Sequence, residues 1–166
     1  LHRVNPDLEH AEGLTPPNRA ETVLHASFIV ARRGAEAASL FAHDGRRYPL
    51  TGVGDVNTYA LFAETFYQAT APDGRAGFIV PSGLGPDDST KHYFGAVVES
   101  KRLVSFYGFD NARRIFPAVH PDTPFALVTL GSSRESTQLI HYALAVDAVY
   151  DSRRRVTLSP DEFALI

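Results

Sequence analysis

The segment FYGFDNARRIFP, residues 106–117, holds the side chains of this chain that are most suggestive of a binding site. An apolar run comes first, Arg113 and Arg114 follow it, and Phe116 stands directly before Pro117. An aromatic ring held beside proline in a turn can plug the core, or it can lie exposed as a surface on which another flat group stacks. Adjacent arginines are most often a solvated face. The residues alone leave both interpretations of Phe116 open.

A second candidate site is the loop PSGLG, residues 81–85, which contains Ser82. The loop follows a predicted strand and leads toward a predicted helix, and open α/β sheets bind ligands at such strand ends. A tight loop that needs glycine for its backbone has the same composition. A serine nucleophile would also need a histidine within hydrogen-bonding distance, and no nucleophile-elbow sequence surrounds Ser82.

The stretch GDVNTYALFAETF, residues 54–66, opens on polar residues that resist helix formation and then continues with an apolar helical pattern. Asp55 can accept hydrogen bonds from the first unpaired amides of this helix, so a plain N-cap is one interpretation of this residue. Asn57 offers a second capping side chain at the same end.

Standard catalytic and metal-binding motifs are missing from the sequence. It contains no GxGxxG, Walker, HExxH or GxSxG pattern. The seven histidines are scattered without ligand spacing, and the absence of cysteine excludes disulfides and thiolate ligands. We therefore predict no metal site.

The composition is that of a globular protein. Hydrophobic residues make up 44% and charged residues 21% of the 166 residues, which allows a packed core in one domain or a piece of one. No apolar run is long enough to span a membrane and no signal pattern is present, so we predict no membrane association and a cytoplasmic location. The net charge of −3 provides no global positive field, so contact with nucleic acid would have to be local. The absence of Met and the first residue, Leu1, favour a fragment.

Hydrophobic periodicity predicts the elements that position these residues. An arm or loop is predicted over 1–17, followed by one helix over 18–42 or two helices divided at Gly34. A helix from 54 is predicted to bury Tyr59, Phe62, Ala63, Phe66 and Ala69, and a later helix, capped by Asp88 or Ser89, continues to 100. Strands are predicted at 76–80, 103–109, 124–130 and 138–146. The run at 76–80 has no alternation, as in a parallel strand covered on both faces. This order predicts an α/β sheet that is parallel at first and then takes antiparallel strands at one edge. No strand is predicted before residue 76, so we expect a sheet that is incomplete on its N-terminal side.

Three longer segments together resemble one protein family. TGVGDVNTYALFAETF, DGRAGFIVPSGLGPDDSTKHYF and SFYGFDNARRIFPAVHPDTPFALVTL, in this order and at these spacings, closely resemble the adenine-N6 DNA methyltransferase region of type IIG-like restriction-modification enzymes. Related methylases of phage-defence systems are similar. The match covers residues 46–131 and is looser in the helix before it and in the tail, where residues 159–162 resemble the family's exit toward its target-recognition domain.

The resemblance implies the C-terminal half of a Rossmann-like class I methyltransferase domain, with parallel strands, an antiparallel edge hairpin and flanking helices. We expect a helical insertion and loop over 18–53, this half domain over 54–150, and the start of a connection to a target-recognition domain over 151–166. The full-length parent would be a site-specific adenine DNA methyltransferase that uses S-adenosylmethionine, binds DNA and flips its target base. Its missing N-terminal half and its target-recognition domain would be partners of this segment. An unpaired sheet edge would also allow self-association.

In the family, a Gly-rich loop binds S-adenosylmethionine and an Asn/Asp-Pro-Pro-aromatic motif holds the target adenine. Both would precede the first matching segment, and neither is present. Asn5-Pro6-Asp7-Leu8 lacks the second proline and the aromatic residue, and Thr15-Pro16-Pro17-Asn18 fails at both ends. The resemblance therefore implies that this chain alone contains no catalytic residue, does not bind the methyl donor and is inactive.

The resemblance also assigns roles to seven residues. Phe116 occupies the family's Phe-Pro position, where an aromatic ring packs against the flipped-out adenine. Such a stacking contact is worth about 1 to 3 kcal/mol. The other implied roles are positions facing the active-site cleft for Asp55, Asn57 and Ser82, and contacts to DNA phosphates for Lys91, Arg113 and Arg114.

Two alternatives stay open. The chain could be a non-catalytic DNA-binding or structural module, either a degenerate remnant or a split subunit that a partner chain completes. It could also be an unrelated small α/β enzyme that uses Ser82 with one of the histidines.

Overall fold

The computed structural model describes residues 19–44, 46–132 and 136–163, so the predicted arm at 1–17 lies outside the described residues. The chain divides into two compact units, the first ending at Ser39 and the second beginning at Leu40. In the first unit a helix starts at Arg19, and its apolar side chains, such as Leu24 and Phe28, are exposed. Gly34 does not divide this helix, because a single helical glycine costs only about 1 kcal/mol relative to alanine.

The structure contains the predicted helices and strands and, in addition, a short strand and a short helix near the C-terminal end that were not predicted. In chain order they are α1 (Arg19–Asp44), α2 (Thr58–Ala69), β1 (Ala76–Pro81), α3 (Lys91–Glu99), β2 (Leu103–Phe109), β3 (Phe125–Leu130), β4 (Thr137–Ala143), β5 (Val156–Leu158) and α4 (Pro160–Phe163). The four predicted strands are therefore confirmed as β1 to β4. No helix in the described ranges is both long enough and apolar enough to cross a membrane.

The five strands form one mixed sheet in the order β1-β3-β2-β4-β5. Strand β3 runs antiparallel to both β1 and β2, β4 is parallel to β2, and β5 is antiparallel to β4. The α/β prediction is confirmed, but the predicted parallel neighbours followed by an antiparallel edge hairpin are wrong. Strands β1 and β2 point the same way without pairing, because the long connection over 110–124 lets the apolar run FALVTL turn back and insert between them.

Strand β1 is an edge strand that is covered on one face only. Its burial alternates, with Phe78 and Val80 buried and Ile79 54% exposed. The prediction of a strand covered on both faces is therefore wrong. Helices α2 and α3 cover the face that carries Phe78 and Val80, and among the described residues no strand pairs with the outer edge of β1.

Helix α2 begins later than its polar start predicts. Asn57 occupies the N-cap position and its side chain makes no capping hydrogen bond, so the interpretation of Asp55 as the cap is wrong. Gly54, with φ of 68°, holds the chain in the left-handed region just before this start. Helix α3 likewise follows a single 3₁₀ turn over Asp88–Thr90, so neither Asp88 nor Ser89 caps it directly.

The buried face of α2 differs from the predicted aromatic stripe. The residues that face the core are Ala60, Ala63 and Glu64, whereas Phe62 is 61% exposed and Phe66 lies at the margin. The prediction that Phe62 and Phe66 are buried is thus wrong. The small side chains of Ala60 and Ala63 thus occupy the buried side of the helix, while the larger rings lie at its margin or in solvent.

A buried carboxylate fixes that rotation of α2. The carboxylate of Glu64 accepts hydrogen bonds from the backbone amides of Leu50 and Thr51, from Oγ1 of Thr51 at 2.7 Å and from Nε2 of Gln68 at 3.0 Å. A buried charge is tolerated only when its acceptor sites are paired in this way. Glu64 therefore ties the loop before α2 to the helix.

The main core lies between the sheet and the helices α2 and α3. Its buried members come from α2, α3, the loop after β1 and strands β1 to β4, and they include Phe78, Val80, Tyr93, Val97, Leu103, Phe106, Val128 and Leu130. A second, smaller cluster on the opposite face of the sheet contains Phe109, Phe125, Ile140 and Ala143. The second cluster lies under the loop that carries Phe116.

Replacement of the buried carboxylate should destabilise the fold. We expect Glu64→Gln to lower the free energy of unfolding by about 1 to 3 kcal/mol, because an amide nitrogen would face donors that now meet an oxygen. Urea denaturation followed by circular dichroism measures this loss. Glu99→Gln, at an exposed position of α3, is the matched control and should stay within about 0.5 kcal/mol. Equal stability of the two variants would contradict the role given to Glu64.

Candidate functional site

The carboxyl ends of β1 and β2 meet at the start of β3. Phe125, the first residue of β3, pairs with Pro81 on one side and with Phe109 on the other. The backbone amide of Ser82 then donates a hydrogen bond to the carbonyl of Pro124 at 3.2 Å. The loops that carry Ser82 and Phe116 therefore leave the sheet from adjacent positions.

The start of α2 lies at the same end of the sheet. A short turn joins α2 to β1, so the two run in opposite directions, and the ring centroids of Phe66 and Phe78 are 5.0 Å apart. Tyr59, in the first turn of α2, packs against the core cluster that contains Val80 and Leu84. Burial and, to a smaller extent, the negative charge of Asp87 raise the pKa of Tyr59. Asp55 and Asn57 are exposed just before this turn.

The loop over 110–124 is ordered by turns. Three of them are closed by backbone hydrogen bonds, from Arg114 to Asn111 at 2.6 Å, from Val119 to Phe116 at 3.1 Å and from Thr123 to His120 at 3.0 Å. Pro117 and Pro121 are the second residues of the last two turns, where proline fits the required φ. Arg114 adopts a φ of 53°, an uncommon left-handed conformation for a residue with a side chain.

Phe116 is attached to an aromatic cluster and remains partly open to solvent. The rings of Phe109 and Phe125, which are 4% and 9% exposed, stack in parallel at 5.1 Å with an interplanar angle of 6°. Phe116 meets Phe125 edge-on at 4.9 Å and 72°, and 36% of it is exposed. The ring therefore packs against the cluster without being fully buried in it, which favours an exposed stacking surface over a side chain that fills the core.

The three candidate cations have different surroundings. Lys91 Nζ lies 2.7 Å from Oδ1 of Asp88, and this contact holds the pKa of the Asp88 carboxyl below its usual value. Arg113 is exposed and lines a small polar pocket that also contains Asp147 and Asp151. Arg114 is exposed as well. The charge of Lys91 is thus already partly compensated.

An open apolar groove of about 860 Å³ lies between α3, β2, β4 and α4. Of the predicted site residues it contains only Ser82, and it also contains His141. Within the described ranges, however, Ser82 Oγ has no hydrogen bond to a histidine, so no serine–histidine pair is formed there. The described residues also contain no group of three or more histidine or acidic side chains placed to hold a metal ion.

Sequence reasoning did not single out three residues that shape this end of the molecule. They are Glu64, which anchors the start of α2, Asp87, which lies near Tyr59, and Asn111, which is fully buried under the Phe116 loop. The only sequence signal for Asn111 was its place directly after a strand and before the turn-forming residues.

Comparisons with known proteins identify similar folds but no family to which the chain belongs. No protein-family model and no curated protein matches the chain. Its fold is similar to that of the type I restriction-modification system methyltransferase subunit from Streptococcus thermophilus, with a TM-score of 0.54, 17% identity, and coverage of 75% of this chain and 32% of that one. It is also similar to that of the type IIG restriction endonuclease BpuSI, with a TM-score of 0.51, 14% identity, and coverage of 70% of this chain and 16% of that one. The chain thus has a fold found in restriction-modification methyltransferases and spans a third or less of each of these proteins.

Truncation of Phe116 should leave the fold nearly intact. We expect Phe116→Ala to lower the free energy of unfolding by about 1 to 2 kcal/mol, because its ring is only partly buried, and Phe109→Ala, in the closed cluster, to lower it by about 3 to 5 kcal/mol. Urea melts of the two variants give the comparison. A loss at position 116 as large as that at 109 would mean that Phe116 is a core residue.

Proposed function

We propose that this chain is the C-terminal half of the catalytic domain of a site-specific DNA methyltransferase, which transfers the methyl group of S-adenosylmethionine to N6 of adenine in a restriction-modification or phage-defence system. The observation that carries the proposal is the partly exposed ring of Phe116, displayed at the carboxyl ends of the strands on a fold shared with restriction-modification methyltransferases. A cytoplasmic location follows from a DNA substrate.

In this proposal Phe116 stacks on the target adenine after the base has left the duplex. Extrusion of a base costs a few kcal/mol, and a base–aromatic contact returns about 1 to 3 kcal/mol. The ring is held for such a contact, because it packs against Phe125 in a T-shaped arrangement while 36% of the residue remains exposed. Asp55, Asn57 and Ser82 lie at the same end of the sheet and would line the cleft around the base or the cofactor.

The methyl transfer itself would rely on groups that this chain does not contain. Catalysis would consist mostly of positioning, in which an Asn/Asp side chain and a backbone carbonyl orient the adenine amine toward the sulfonium methyl. Those groups and the Gly-rich loop for S-adenosylmethionine would belong to the N-terminal half of the parent. This chain would contribute the stacking ring and the far wall of the cleft, and it would be inactive alone.

The outer edge of β1 is where the other half would join. No described strand pairs with β1 on that side, and Ile79 is exposed on the uncovered face of the same strand. An unpaired apolar edge favours the addition of another strand. A second copy of this chain could use the same edge, which sedimentation velocity would detect. Residues 151–166 would lead to the target-recognition domain.

The same open edge gives the second candidate function some support. A split subunit completed by a partner chain, or a degenerate DNA-binding remnant, would present the same surface. The coding sequence on the N-terminal side of this chain distinguishes the candidates. An in-frame Gly-rich strand–loop followed by an Asn-Pro-Pro-aromatic motif would support the methyltransferase half, and a stop codon there would favour the split or degenerate subunit.

The isolated chain should not bind the methyl donor. We expect isothermal titration calorimetry of this chain with S-adenosylmethionine to show no binding heat, because the donor-binding motif is absent. Micromolar affinity would contradict the proposed division of the domain. A fused protein that restores the N-terminal half is the matching positive control.

The exposed arginines should contribute to DNA binding through phosphate contacts. We expect Arg113→Ala combined with Arg114→Ala to reduce the slope of log affinity against log salt by about 1 to 2, since each lost phosphate contact removes about one released counterion. Lys91→Ala should change the slope less, because Asp88 already pairs with Lys91.

Fluorescence anisotropy with a labelled duplex at several salt concentrations measures these slopes. Arg75→Ala is the matched control, because Arg75 is exposed and precedes β1 at the opposite end of the sheet. An equal change of slope in the Arg75 variant would contradict a phosphate site at positions 113 and 114.

A further inference from the structure

We propose that Asn111 is the positioning residue for Phe116, and that its buried side-chain amide holds the backbone around the stacking ring in a single conformation. The inference rests on the proposed function, because the fixed conformation has a functional role only if Phe116 stacks on a base. The hydrogen bonds that carry it are independent of any ligand.

The amide of Asn111 pairs with both polar backbone groups of Phe116. Its Oδ1 accepts a hydrogen bond from the backbone N–H of Phe116 at 3.0 Å, and its Nδ2 donates to the carbonyl of Phe116 at 3.2 Å. By pairing with both the N–H and the carbonyl of one residue, the side-chain amide makes the two backbone hydrogen bonds that a neighbouring β-strand would make. It restrains the peptide units on both sides of the Phe116 side chain.

The same side-chain nitrogen also contacts the backbone that follows Phe116. Nδ2 of Asn111 lies 3.2 Å from the carbonyl of Val119 and 3.3 Å from that of His120. The two N–H groups of one amide are therefore shared among three carbonyls, which belong to two consecutive turns of the loop. Loss of this nitrogen would leave three acceptors without their common donor.

The hydrogen bonds of Asn111 are hard to break because its side chain is buried. Asn111 is 0% exposed, whereas residues 116–120 are themselves solvent-exposed. Turn hydrogen bonds at the surface compete with water and open readily, while a shielded polar network is lost only at the cost of desolvated groups. The buried amide is therefore the strongest restraint on a loop that has little core of its own.

The restraint matters because stacking returns only about 1 to 3 kcal/mol per base. If the loop sampled many conformations, ordering it on binding would consume a large part of that free energy. Asn111 cannot touch a base, since no part of it reaches the surface. It would act only through Phe116.

The chain contains no tryptophan, so a single fluorescent reporter can be placed at the site itself. Phe116→Trp keeps an aromatic ring in the stacking position, and the new indole is then the only one in the chain. Asn111→Asp is added to this reporter chain, because the carboxylate has nearly the shape of the amide but cannot donate to the three carbonyls. Thr137→Val in the same reporter chain is the control, since it removes a buried hydrogen bond to the carbonyl of Leu103, outside the loop.

Acrylamide quenching and fluorescence anisotropy report the order of the indole at position 116 in each folded variant. We expect Asn111→Asp to raise the quenching constant roughly twofold or more and to lower the anisotropy, since the loop gains freedom. Thr137→Val should leave both values unchanged although it also destabilises the chain. Circular dichroism and urea melts establish which variants are folded. An unchanged indole signal in folded Asn111→Asp, or the same change in Thr137→Val, would overturn the inference.

A second readout separates this inference from the proposed function. The probe is a single-stranded oligonucleotide with one adenine among abasic spacers, compared with an all-spacer strand. We expect the adenine strand to quench the indole of the reporter chain, and the Asn111→Asp variant to need several-fold more of it. If quenching is absent in the reporter chain, base stacking fails as a function while the acrylamide data still decide whether Asn111 orders the ring. Equal adenine affinity with and without Asn111 would overturn its positioning role.

Discussion

The placement of β3 between β1 and β2 is the constraint on which the rest of the molecule depends. Because Phe125 pairs with Pro81 and with Phe109, the last residues of two strands meet at one point of the sheet. Both following loops must leave from there, and the side chain of Phe125 becomes the support on which Phe116 rests. The same insertion leaves β1 at an edge, so one pairing choice produces both the clustered loops and the open side of the sheet.

Local signals in the sequence were enough to locate strands β1 to β4, but not the short strand β5 and not the order of the strands. The runs at 76–80 and 124–130 are both apolar and short, yet one is an edge strand and the other is central. Strand order depends on which long-range pairings are more stable. The connection over 110–124 is long enough for β3 to pair either between β1 and β2 or outside them. Periodicity within α2 was equally ambiguous, since Ala63 and Phe62 are neighbours and only the contacts of Glu64 decide which of them faces the core.

The candidate site shows the same division between local and non-local information. Phe116 could be singled out from the sequence because the Phe-Pro pair in its turn is a local pattern, and its role as a base-stacking ring stays a prediction. Asn111 could not, because its importance lies in hydrogen bonds to residues five to nine positions away that form only once the loop is folded. The N-cap of α2 was ambiguous for a related reason, since a polar helix start does not reveal which residue the helix will use as its cap.

An exposed phenylalanine beside an apolar cluster would ordinarily move inward, because burial of its remaining surface is favourable. Phe116 is restrained from doing so by its backbone and not by its side chain. Its N–H and carbonyl are paired with Asn111, and Pro117 fixes φ at the next residue. The loop backbone therefore keeps 36% of Phe116 exposed beside the aromatic cluster, and this leaves the accessible aromatic surface that the proposed stacking on a base requires.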